Sequence, residues 1–290
     1  MGVLNVTPDS FSDGGLYLDP EKALARAEAM LAGGADILDL GGESTRPGAQ
    51  AVSLDDELAR ILPVAELISK RLPQAAWSID TTKAAVAEAA LGLGACMIND
   101  VSALSADAAM APLAAKQGCG VVLMHRAAPP QGSAWSTQDG SNYGTEGVTT
   151  ALRKYLTNRA SSLLLEGLSK HQFWIDPGFG FGKSVADNLA LLKGLPELAV
   201  TGYPVLLGAS RKSSLGAVLG GLPEGERLEA SLAVVALAAF QGAACLRVHD
   251  VKESARALKL AQAVKDSAGP KNAASDAVRT IHPFRASEEF

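Results

Sequence analysis

Short apolar runs that end in a polar or charged residue recur eight times along the chain. They fall at residues 3–5, 37–40, 77–80, 97–100, 121–125, 173–176, 205–208 and 245–250. Amphipathic stretches of helical length separate them, and apolar runs of this length between helices are typical of parallel strands buried on both faces. The pattern therefore predicts an α/β fold, a single-domain (β/α)₈ TIM barrel, with its active site at the carboxyl ends of the strands.

Eight helices are predicted from the same pattern, because most begin at a capping residue and end near glycine or proline. They cover about residues 20–32, 53–71, 82–92, 107–117, 146–166, 186–193, 225–241 and 251–266. The connections 6–19, 41–53 and 126–145, which follow strands, are long, as expected for loops at one working rim. We assign residues 1–266 to the barrel and residues 267–290 to a weakly ordered polar tail.

The composition narrows the class of protein. Hydrophobic residues make up 48% of the 290 residues and charged residues 20%, with a formal net charge of −5, which disfavours a general nucleic-acid or anionic-membrane surface. No apolar run reaches the ~20 residues of a membrane span, and no secretory signal pattern opens the chain. Cys96, Cys119 and Cys245 fit neither a metal site nor a disulfide framework. We expect them to be buried, and we predict a cytoplasmic location.

Three polar side chains at the ends of separate strands are predicted to meet in the barrel mouth: Asp80, Asn99 and Asp176. Two carboxylates and an amide offer several hydrogen-bond acceptors and one donor pair, which suits a flat heterocycle with amino and lactam edges. Each residue alone has a second interpretation as a cap of the following helix, most directly Asp80 before Thr81. As a set at one rim, they favour a binding role.

Positive charge is concentrated on the last two strands, at Lys212, Arg247 and His249. The final loops of such barrels frequently bind phosphate, so these residues predict a phosphate or diphosphate site, to which Arg46 adds from the second long loop. Arg247 and His249 alternate and therefore face the same side, and a cation inside the lumen needs an anionic partner or a ligand. We favour a ligand over the alternative of an ion pair with Asp250.

Two further features are less specific. Asn5, at the end of the first strand, offers an amide oxygen to Mg²⁺, which is usually held mainly through substrate phosphates. The glycine-rich segment 178–183 has neither the order of a P-loop nor that of a dinucleotide-binding turn. We interpret it as a flexible loop, with the alternative that Phe181 offers a ring face at the mouth.

The chain resembles the dihydropteroate synthases in eight segments that follow the family's order. They read LNVTPDSFSDGG from Leu4, GGESTRPG from Gly41, SIDT from Ser78, IND from Ile98, LMH from Leu123, DPGFGFGK from Asp176, SRKS from Ser210 and RVHD from Arg247. The resemblance extends from residue 2 to about residue 265. It implies a TIM barrel that condenses 6-hydroxymethyl-7,8-dihydropterin diphosphate with 4-aminobenzoate, releasing diphosphate and 7,8-dihydropteroate.

Position by position, the resemblance implies a role for residues in each part of the mouth. The pterin ring would contact Asp80, Asn99, Asp176 and Lys212, with Met124, Phe181 and Gly208 lining its pocket. The diphosphate would contact Thr45, Arg46, Arg247 and His249, with Asn5 at Mg²⁺. Phe11, Thr45, Pro47 and Ser213 would shape the aminobenzoate site, where sulfonamides compete. The implied catalytic set is Asp80, Lys212, Arg247 and His249.

The implied chemistry requires no covalent nucleophile. Departure of diphosphate leaves a pterin-stabilised cation at the exocyclic carbon, so we expect anion stabilisation, nearby carboxylates and exclusion of water by the first two long loops to carry catalysis. The resemblance also implies a homodimer through the later helices, which the alanine-rich stretch 230–244 permits.

Two departures from the family pattern affect the expectations. Relatives usually carry a hairpin before the first strand that plugs the barrel floor, whereas here the first motif begins almost at residue 2. We therefore expect altered floor packing or a trimmed chain. After His125 the chain reads Arg-Ala-Ala-Pro-Pro instead of the family's usual segment, so no role is carried over to that loop.

Two alternative functions are left open by the residues. A methyltetrahydrofolate:corrinoid methyltransferase on the same barrel would keep the pterin-facing Asp and Asn residues, but it would not need Arg46, Lys212 or the Arg247–His249 pair. A non-catalytic pterin-binding subunit would not need an intact set of anion-binding residues. Because these residues are all present, the synthase is favoured.

Overall fold

The computed structural model describes residues 1–7, 19–44, 51–127 and 143–267. The strands are β1 (Gly2–Asn5), β2 (Ile37–Gly41), β3 (Ala76–Asp80), β4 (Met97–Asp100), β5 (Gly120–Met124), β6 (Phe173–Asp176), β7 (Leu206–Leu207) and β8 (Cys245–Leu246). The helices are α1 (Pro20–Ala32), α2 (Leu54–Arg71), α3 (Ala84–Gly92), α4 (Met110–Gln117), α5 (Val148–Leu165), α6 (Val185–Lys193), α7 (Leu195–Ala199), α8 (Ser213–Val218), α9 (Leu228–Phe240) and α10 (Val251–Asp266).

Backbone pairing connects the eight strands into a ring. Strands β1 to β6 pair in chain order, β7 pairs with β8, and every pair is parallel. Isolated parallel bridges join Ile175 of β6 to Val205, just before β7, and Gly2 of β1 to Val248, just after β8. This order, with helices between successive strands, is the arrangement expected of a (β/α)₈ barrel.

Alternate residues of the strands enter two different apolar clusters, as the two-residue period of a strand requires. Residues such as Leu40, Ile79 and Ile98 pack with the helices in the main core. The intervening positions form a smaller cluster that fills the lower part of the lumen: Met1, Met97, Val122 and Leu206, with Ile37, Trp174 and Cys245 packed against it. Nearer the carboxyl ends of the strands, the same lumen-facing parity carries the charged residues of the site.

The predicted helices are confirmed as elements, but several begin later than predicted. The fourth begins at Met110, because residues 107–109 form a turn, and the seventh begins at Leu228, after a short 3₁₀ turn. Helices α7 and α8 were not predicted. The third helix, predicted from about residue 82, begins at Ala84, and the Ala84 N–H donates to Asp107 Oδ2 at 2.8 Å.

The cysteine prediction is only partly correct. Cys119 is buried and Cys245 is partly buried. Cys96, which lies just before the amino end of β4, is exposed. All three are free thiols. Among the described helices, none combines the length and apolar character needed to cross a membrane.

Candidate active site

A buried network of charged side chains crosses the barrel mouth and is centred on Arg247. Its Nε donates to Asp39 Oδ2 at 2.6 Å, and its Nη2 donates to Asp80 Oδ2 at 2.8 Å. Asp39 is fully buried, and it also accepts hydrogen bonds from the Asn99 amide at 3.0 Å and from the Ser78 hydroxyl at 2.5 Å. Direct contacts therefore join residues of β2 and β3 to Arg247, which follows β8, and Asn99 of β4 joins the network through Asp39.

The register of the sheet explains why these residues meet. Asp39 lies opposite Ser78, Gly41 lies opposite Asp80, and Asp80 lies opposite Asn99. Asp39 and Gly41 are two residues apart and so face the same side of β2. A Cβ at position 41 would lie 3.5 Å from the Cβ of Asp80, so glycine at this position leaves room beside Asp80.

Two of the alternatives considered for single residues are wrong. Asp250 binds Arg211 rather than Arg247, through a bidentate carboxylate–guanidinium pair. Asp80 does not cap the following helix, because its carboxylate contacts Arg247 in the lumen. The anionic partners that Arg247 needs in the lumen are instead supplied by the protein itself, as Asp39 and Asp80.

Burial changes the ionisation of this network. Burial raises the pKa of Asp80 to about 7, the Arg247 guanidinium opposes this rise, and the Asp39 carboxylate adds to it. Burial disfavours the charge of Arg247, but the carboxylates of Asp39 and Asp80 outweigh that cost and raise its pKa above the ordinary value. The guanidinium therefore keeps its charge near neutral pH, whereas burial favours the protonated form of Asp80.

Asp176 brings a second buried carboxylate to the same rim. Its Oδ1 accepts the N–H of Gly178 at 2.7 Å, and burial raises its pKa to about 6, although the N–H of Gly178 and the charge of Lys183 oppose the rise. Met124, which is also buried, lies opposite Asp176 in the sheet. The structure thus places Asp80, Asn99, Met124 and Asp176 at the carboxyl ends of four successive strands.

The glycine-rich segment 178–183 is anchored by Lys183, whose side chain is fully buried. The ammonium donates to three carbonyl oxygens, those of His125 at 3.1 Å, Gly178 at 2.9 Å and Phe181 at 3.1 Å. Gly178 has a φ of +68°, and a Cβ there would lie 2.0 Å from the His125 oxygen, so only glycine fits. Burial lowers the pKa of Lys183 to about 7, while Asp176 raises it. The segment is interpreted as an ordered platform, not the flexible loop that was predicted.

This platform presents an aromatic ring to a second lysine. The Nζ of Lys212 lies over the ring of Phe181, 4.0 Å from the ring centre. Gly180 makes the approach possible, because a Cβ there would lie 3.1 Å from Cδ of Lys212. The N–H of Gly180 donates to Asn188 Oδ1 at 2.7 Å, so the first turn of α6 also fixes the platform. Phe181 therefore offers a ring face beside Lys212.

Replacing Lys183 with methionine should lower the free energy of unfolding by about 2–4 kcal/mol, because three carbonyl acceptors lose their donor in a buried place. The loosened platform should also reduce affinity for a pterin ligand. Chemical denaturation and calorimetric titration measure the two effects. Lys116→Met, on an exposed position of α4, is the matched control. An effect no larger than that of the control would show that Lys183 does not anchor the platform.

The rim beyond β7 is held in a strained turn. Arg211 has a φ of +59°, a left-handed conformation that is costly for a residue with a Cβ. It is held by its pair with Asp250, by Arg227 Nη1, which donates to the Arg211 oxygen at 2.9 Å, and by donation of the Arg211 N–H to Ser231 Oγ at 3.0 Å. This turn fixes the direction in which the next residue, Lys212, leaves the backbone.

The remaining predicted residues occupy different parts of the rim. The Nδ1 of His249 lies 3.1 Å from Ser210 Oγ, and Gly208 lies beside Arg247, since a Cβ there would be 3.8 Å from its side chain. Asn5 is partly buried at the end of β1, and Ser213 is exposed at the start of α8. Four predicted residues lie outside the described residues: Phe11, Thr45, Arg46 and Pro47.

The described residues contain no group of three or more His, Cys, Asp or Glu side chains arranged to hold a metal ion. The Asn5 side chain nevertheless fits a hard cation. A Cβ at Gly41 would lie 3.3 Å from Asn5 Oδ1, so this amide oxygen is on the lumen side of the mouth, near Asp80. One neutral oxygen ligand suits a Mg²⁺ ion whose other ligands are phosphate oxygens and waters.

Sequence reasoning missed three residues of the site. Asp39 and Ser78 lie inside strands instead of at their ends, and a charged residue in the middle of a buried apolar run is the signal that would have found Asp39. Lys183 lies in the glycine-rich segment that was interpreted as a flexible loop, so no role was predicted for it. Its burial becomes understandable only when the surrounding carbonyl oxygens are located.

A family model described as pterin binding enzyme matches residues 1–249. The dihydropteroate synthase of Streptococcus pyogenes serotype M6 is 47% identical over 253 residues, which cover 87% of this chain and 90% of the relative. The dihydropteroate synthase of Escherichia coli K12 is 42% identical over 264 residues, covering 91% and 90%.

Solved structures agree with the sequence relatives. The dihydropteroate synthase of Xanthomonas albilineans with 4-aminobenzoic acid is 43% identical, with a TM-score of 0.83 over 92% of this chain and 93% of the other. The Yersinia pestis enzyme in a sulfonamide drug complex is 40% identical, with a TM-score of 0.82 over 92% and 94%. The X. albilineans enzyme with 7,8-dihydropteroate is 40% identical, with a TM-score of 0.80 over 92% and 93%. The predicted α/β TIM-barrel fold is therefore confirmed.

Proposed function

Since the chain belongs to the pterin-binding enzymes, as a dihydropteroate synthase, we propose that its mouth condenses 6-hydroxymethyl-7,8-dihydropterin diphosphate with 4-aminobenzoate. One observation carries this proposal. The 2.8 Å contact between Arg247 and Asp80 places a permanent cation directly beside a buried hydrogen-bond acceptor. A substrate with a heterocycle at one end and a diphosphate at the other matches that pairing of charge and acceptor.

The carboxylates and the amide of the mouth bind the pterin ring in this proposal. Asp80, Asn99 and Asp176 converge from β3, β4 and β6, and their acceptors fit the amino and ring N–H groups of a pterin. Met124 and Gly208 line the pocket, while Phe181 and Lys212 flank it with a ring face and a cation. These groups orient the ring so that its exocyclic carbon points towards Arg247.

In the proposed reaction the bond between the exocyclic carbon and the diphosphate oxygen breaks, and the oxygen keeps the electron pair. Arg247 and His249, with Arg46 and Thr45 from the second loop, stabilise the negative charge that develops there. The amine nitrogen of 4-aminobenzoate then bonds to the electron-poor carbon and releases a proton. Nearby carboxylates, Asp80 and Asp176, favour the cationic carbon, so no covalent nucleophile is required.

Mg²⁺ belongs to the proposal as an ion that arrives with the diphosphate. Asn5 would hold it through its amide oxygen, because the geometry beside Gly41 directs that oxygen into the lumen. When bound, the ion would neutralise charge on the departing diphosphate. Calorimetric titration of diphosphate substrate with and without Mg²⁺ tests this assignment, and an Asn5→Leu variant should lose the difference.

The aminobenzoate end is assigned to Phe11, Thr45, Pro47 and Ser213, with sulfonamides as competitors. Replacing Phe11 with leucine should change sulfonamide inhibition more than pterin affinity, because the residue would cover aminobenzoate and not the pterin ring. Inhibition curves with sulfamethoxazole and calorimetric pterin titrations measure the two quantities. Unchanged inhibition would remove Phe11 from the drug site.

A homodimer through the later helices is also proposed. Helices α9 and α10 pack together and leave apolar side chains exposed, among them Leu237, Phe240, Leu260 and Val264. An apolar surface of this kind is typical of an interface between subunits. With three free cysteines, the proposed compartment is the reducing cytoplasm.

The experiment that tests the proposed function is diphosphate release from dihydropterin diphosphate, with Mg²⁺ present, as 4-aminobenzoate is varied. Release that depends on aminobenzoate is the expected result, with inhibition as sulfamethoxazole is added. A methyltransferase on the same barrel would bind pterin but release no diphosphate. A pterin-binding subunit would show binding without turnover, and either result would refute the proposal.

A further inference from the structure

Asp39 has an environment unlike that of the other carboxylates in the mouth. It is completely buried, and both of its oxygens are engaged by side chains. Oδ1 accepts the Ser78 hydroxyl at 2.5 Å, and Oδ2 accepts both the Asn99 amide at 3.0 Å and Arg247 Nε at 2.6 Å. Because Asp39 has no exposed surface and both oxygens already accept hydrogen bonds, it is poorly placed to contact a substrate directly.

Arg247 uses only part of its hydrogen-bonding capacity within the described residues. Nε is directed at Asp39 and Nη2 at Asp80, whereas Nη1 makes no hydrogen bond to any of them. The guanidinium has five N–H donors in a rigid plane, so fixing Nε on one carboxylate fixes the direction of the other nitrogens. Asp80 is 7% exposed and Asp39 is 0% exposed, so the Nη end of Arg247 points to the more accessible carboxylate.

We propose that Asp39 is a positioning residue, which holds Arg247 by Nε and presents its Nη nitrogens to the diphosphate when Asp80 turns to the pterin. The contact with Asp39 is permanent in this account, whereas the contact with Asp80 is exchanged when substrate binds. Asp39 also orders Asn99 through the same oxygen, so one buried carboxylate aligns an anion-binding residue and a pterin-binding residue. The inference rests on the proposed assignment of Arg247 to the diphosphate.

The negative charge of Asp39 is the property that would hold Arg247 in place. With Asp39 ionised, Arg247 is neutralised without Asp80, and Asp80 is free to accept hydrogen bonds from the pterin. Without that charge, Nε of Arg247 is held less firmly, so the Nη nitrogens are no longer fixed in the direction of the diphosphate. Asp39→Asn keeps the shape, and its amide can still accept from Arg247 and donate to Ser78, so it isolates the charge.

A double-mutant cycle tests whether Asp39 acts through Arg247. Calorimetry, without aminobenzoate, would measure binding of the diphosphate substrate and of free hydroxymethyl-dihydropterin to wild type, Asp39→Asn, Arg247→Ala and the double variant. Asp39→Asn should lower the affinity for the diphosphate substrate by about tenfold and the affinity for free pterin much less. In the Arg247→Ala background the same substitution should have almost no further effect on affinity, because Arg247, through which Asp39 acts, is already absent.

The results that would overturn the role of Asp39 differ from the result that would refute the proposed function. Equal weakening of both ligands, or a full additional loss in the Arg247→Ala background, would show a merely structural role and overturn the proposal. If Asp39→Asn does not fold, Asp39→Ser, which also removes the charge, takes its place in the cycle with the same expectations. Wild-type protein that shows no aminobenzoate-dependent diphosphate release would refute the proposed function itself. Wild-type release with an additive cycle would refute only the role of Asp39.

Discussion

Replacing Arg247 with alanine should weaken binding of the diphosphate substrate by about a hundredfold or more, because a buried charge-assisted contact is lost. Affinity for free hydroxymethyl-dihydropterin should fall far less, since the ring contacts Asp80, Asn99 and Asp176. Calorimetric titration of both ligands measures the difference. Equal losses for the two ligands would contradict the assignment of Arg247 to the diphosphate.

The same substitution should also destabilise the protein, because it leaves Asp39 and Asp80 without their buried cation. Removing one partner of a buried pair costs about 3–5 kcal/mol. Without Arg247, which opposes the rise, the pKa of Asp80 should move above its present value of about 7. A carboxyl with a raised pKa contributes stability at low pH that is lost as pH rises through that pKa. The destabilisation of Arg247→Ala should therefore be larger at pH 8 than at pH 6, and a pH-independent loss would contradict this.

Asp176→Asn should produce a protein that is more stable but binds pterin poorly. Burial raises the pKa of Asp176 to about 6 from a usual value of 3.8, so stability from this group is complete below about pH 4 and is lost as pH rises through about 6. An amide does not ionise, and its oxygen can still accept the N–H of Gly178. The variant should gain about 2–3 kcal/mol at pH 8 and nothing at pH 4.

Pterin affinity should fall at least tenfold in the same variant, because a charged acceptor becomes a neutral amide that also presents donors. Urea denaturation at the two pH values and calorimetric pterin titration measure both effects. Asp36→Asn, at an exposed position just before β2, is the matched control and should change neither quantity. A stability change that is the same at pH 4 and pH 8 would show that ionisation of Asp176 is not its source.

Much of the site could be predicted because several of its polar residues lie at the ends of strands. Asp80, Asn99 and Asp176 each close a short apolar run, and the parallel arrangement of the strands brings such ends to one rim. The alternation of Arg247 and His249 likewise predicted a shared face. The structure adds the partners of Arg247, which depend on the register between β2 and β3 and on the closure of the ring of strands. Neither the register nor the closure can be predicted from a single apolar run of the sequence.

Other features could not be predicted from local patterns. Asp39 stands inside a strand, and its role becomes clear only when Ser78, Asn99 and Arg247 are seen to surround it. Lys183 is buried because three carbonyl oxygens from two loops converge on it, which no spacing in the sequence shows. The short helices α7 and α8 have five and six residues, too few for a periodic apolar pattern.

In the proposed function, one mouth binds the pterin ring through buried carboxylates and the diphosphate through Arg247. A crystal structure with dihydropterin diphosphate and Mg²⁺ tests it most directly. We expect ring N–H groups to donate to Asp80 and Asp176, diphosphate oxygens to accept from the Nη nitrogens of Arg247, and Nε of Arg247 to donate to Asp39 as before. A pterin ring bound away from Asp80 and Asp176, with Arg247 paired to Asp39 and Asp80 as it is now, would contradict it.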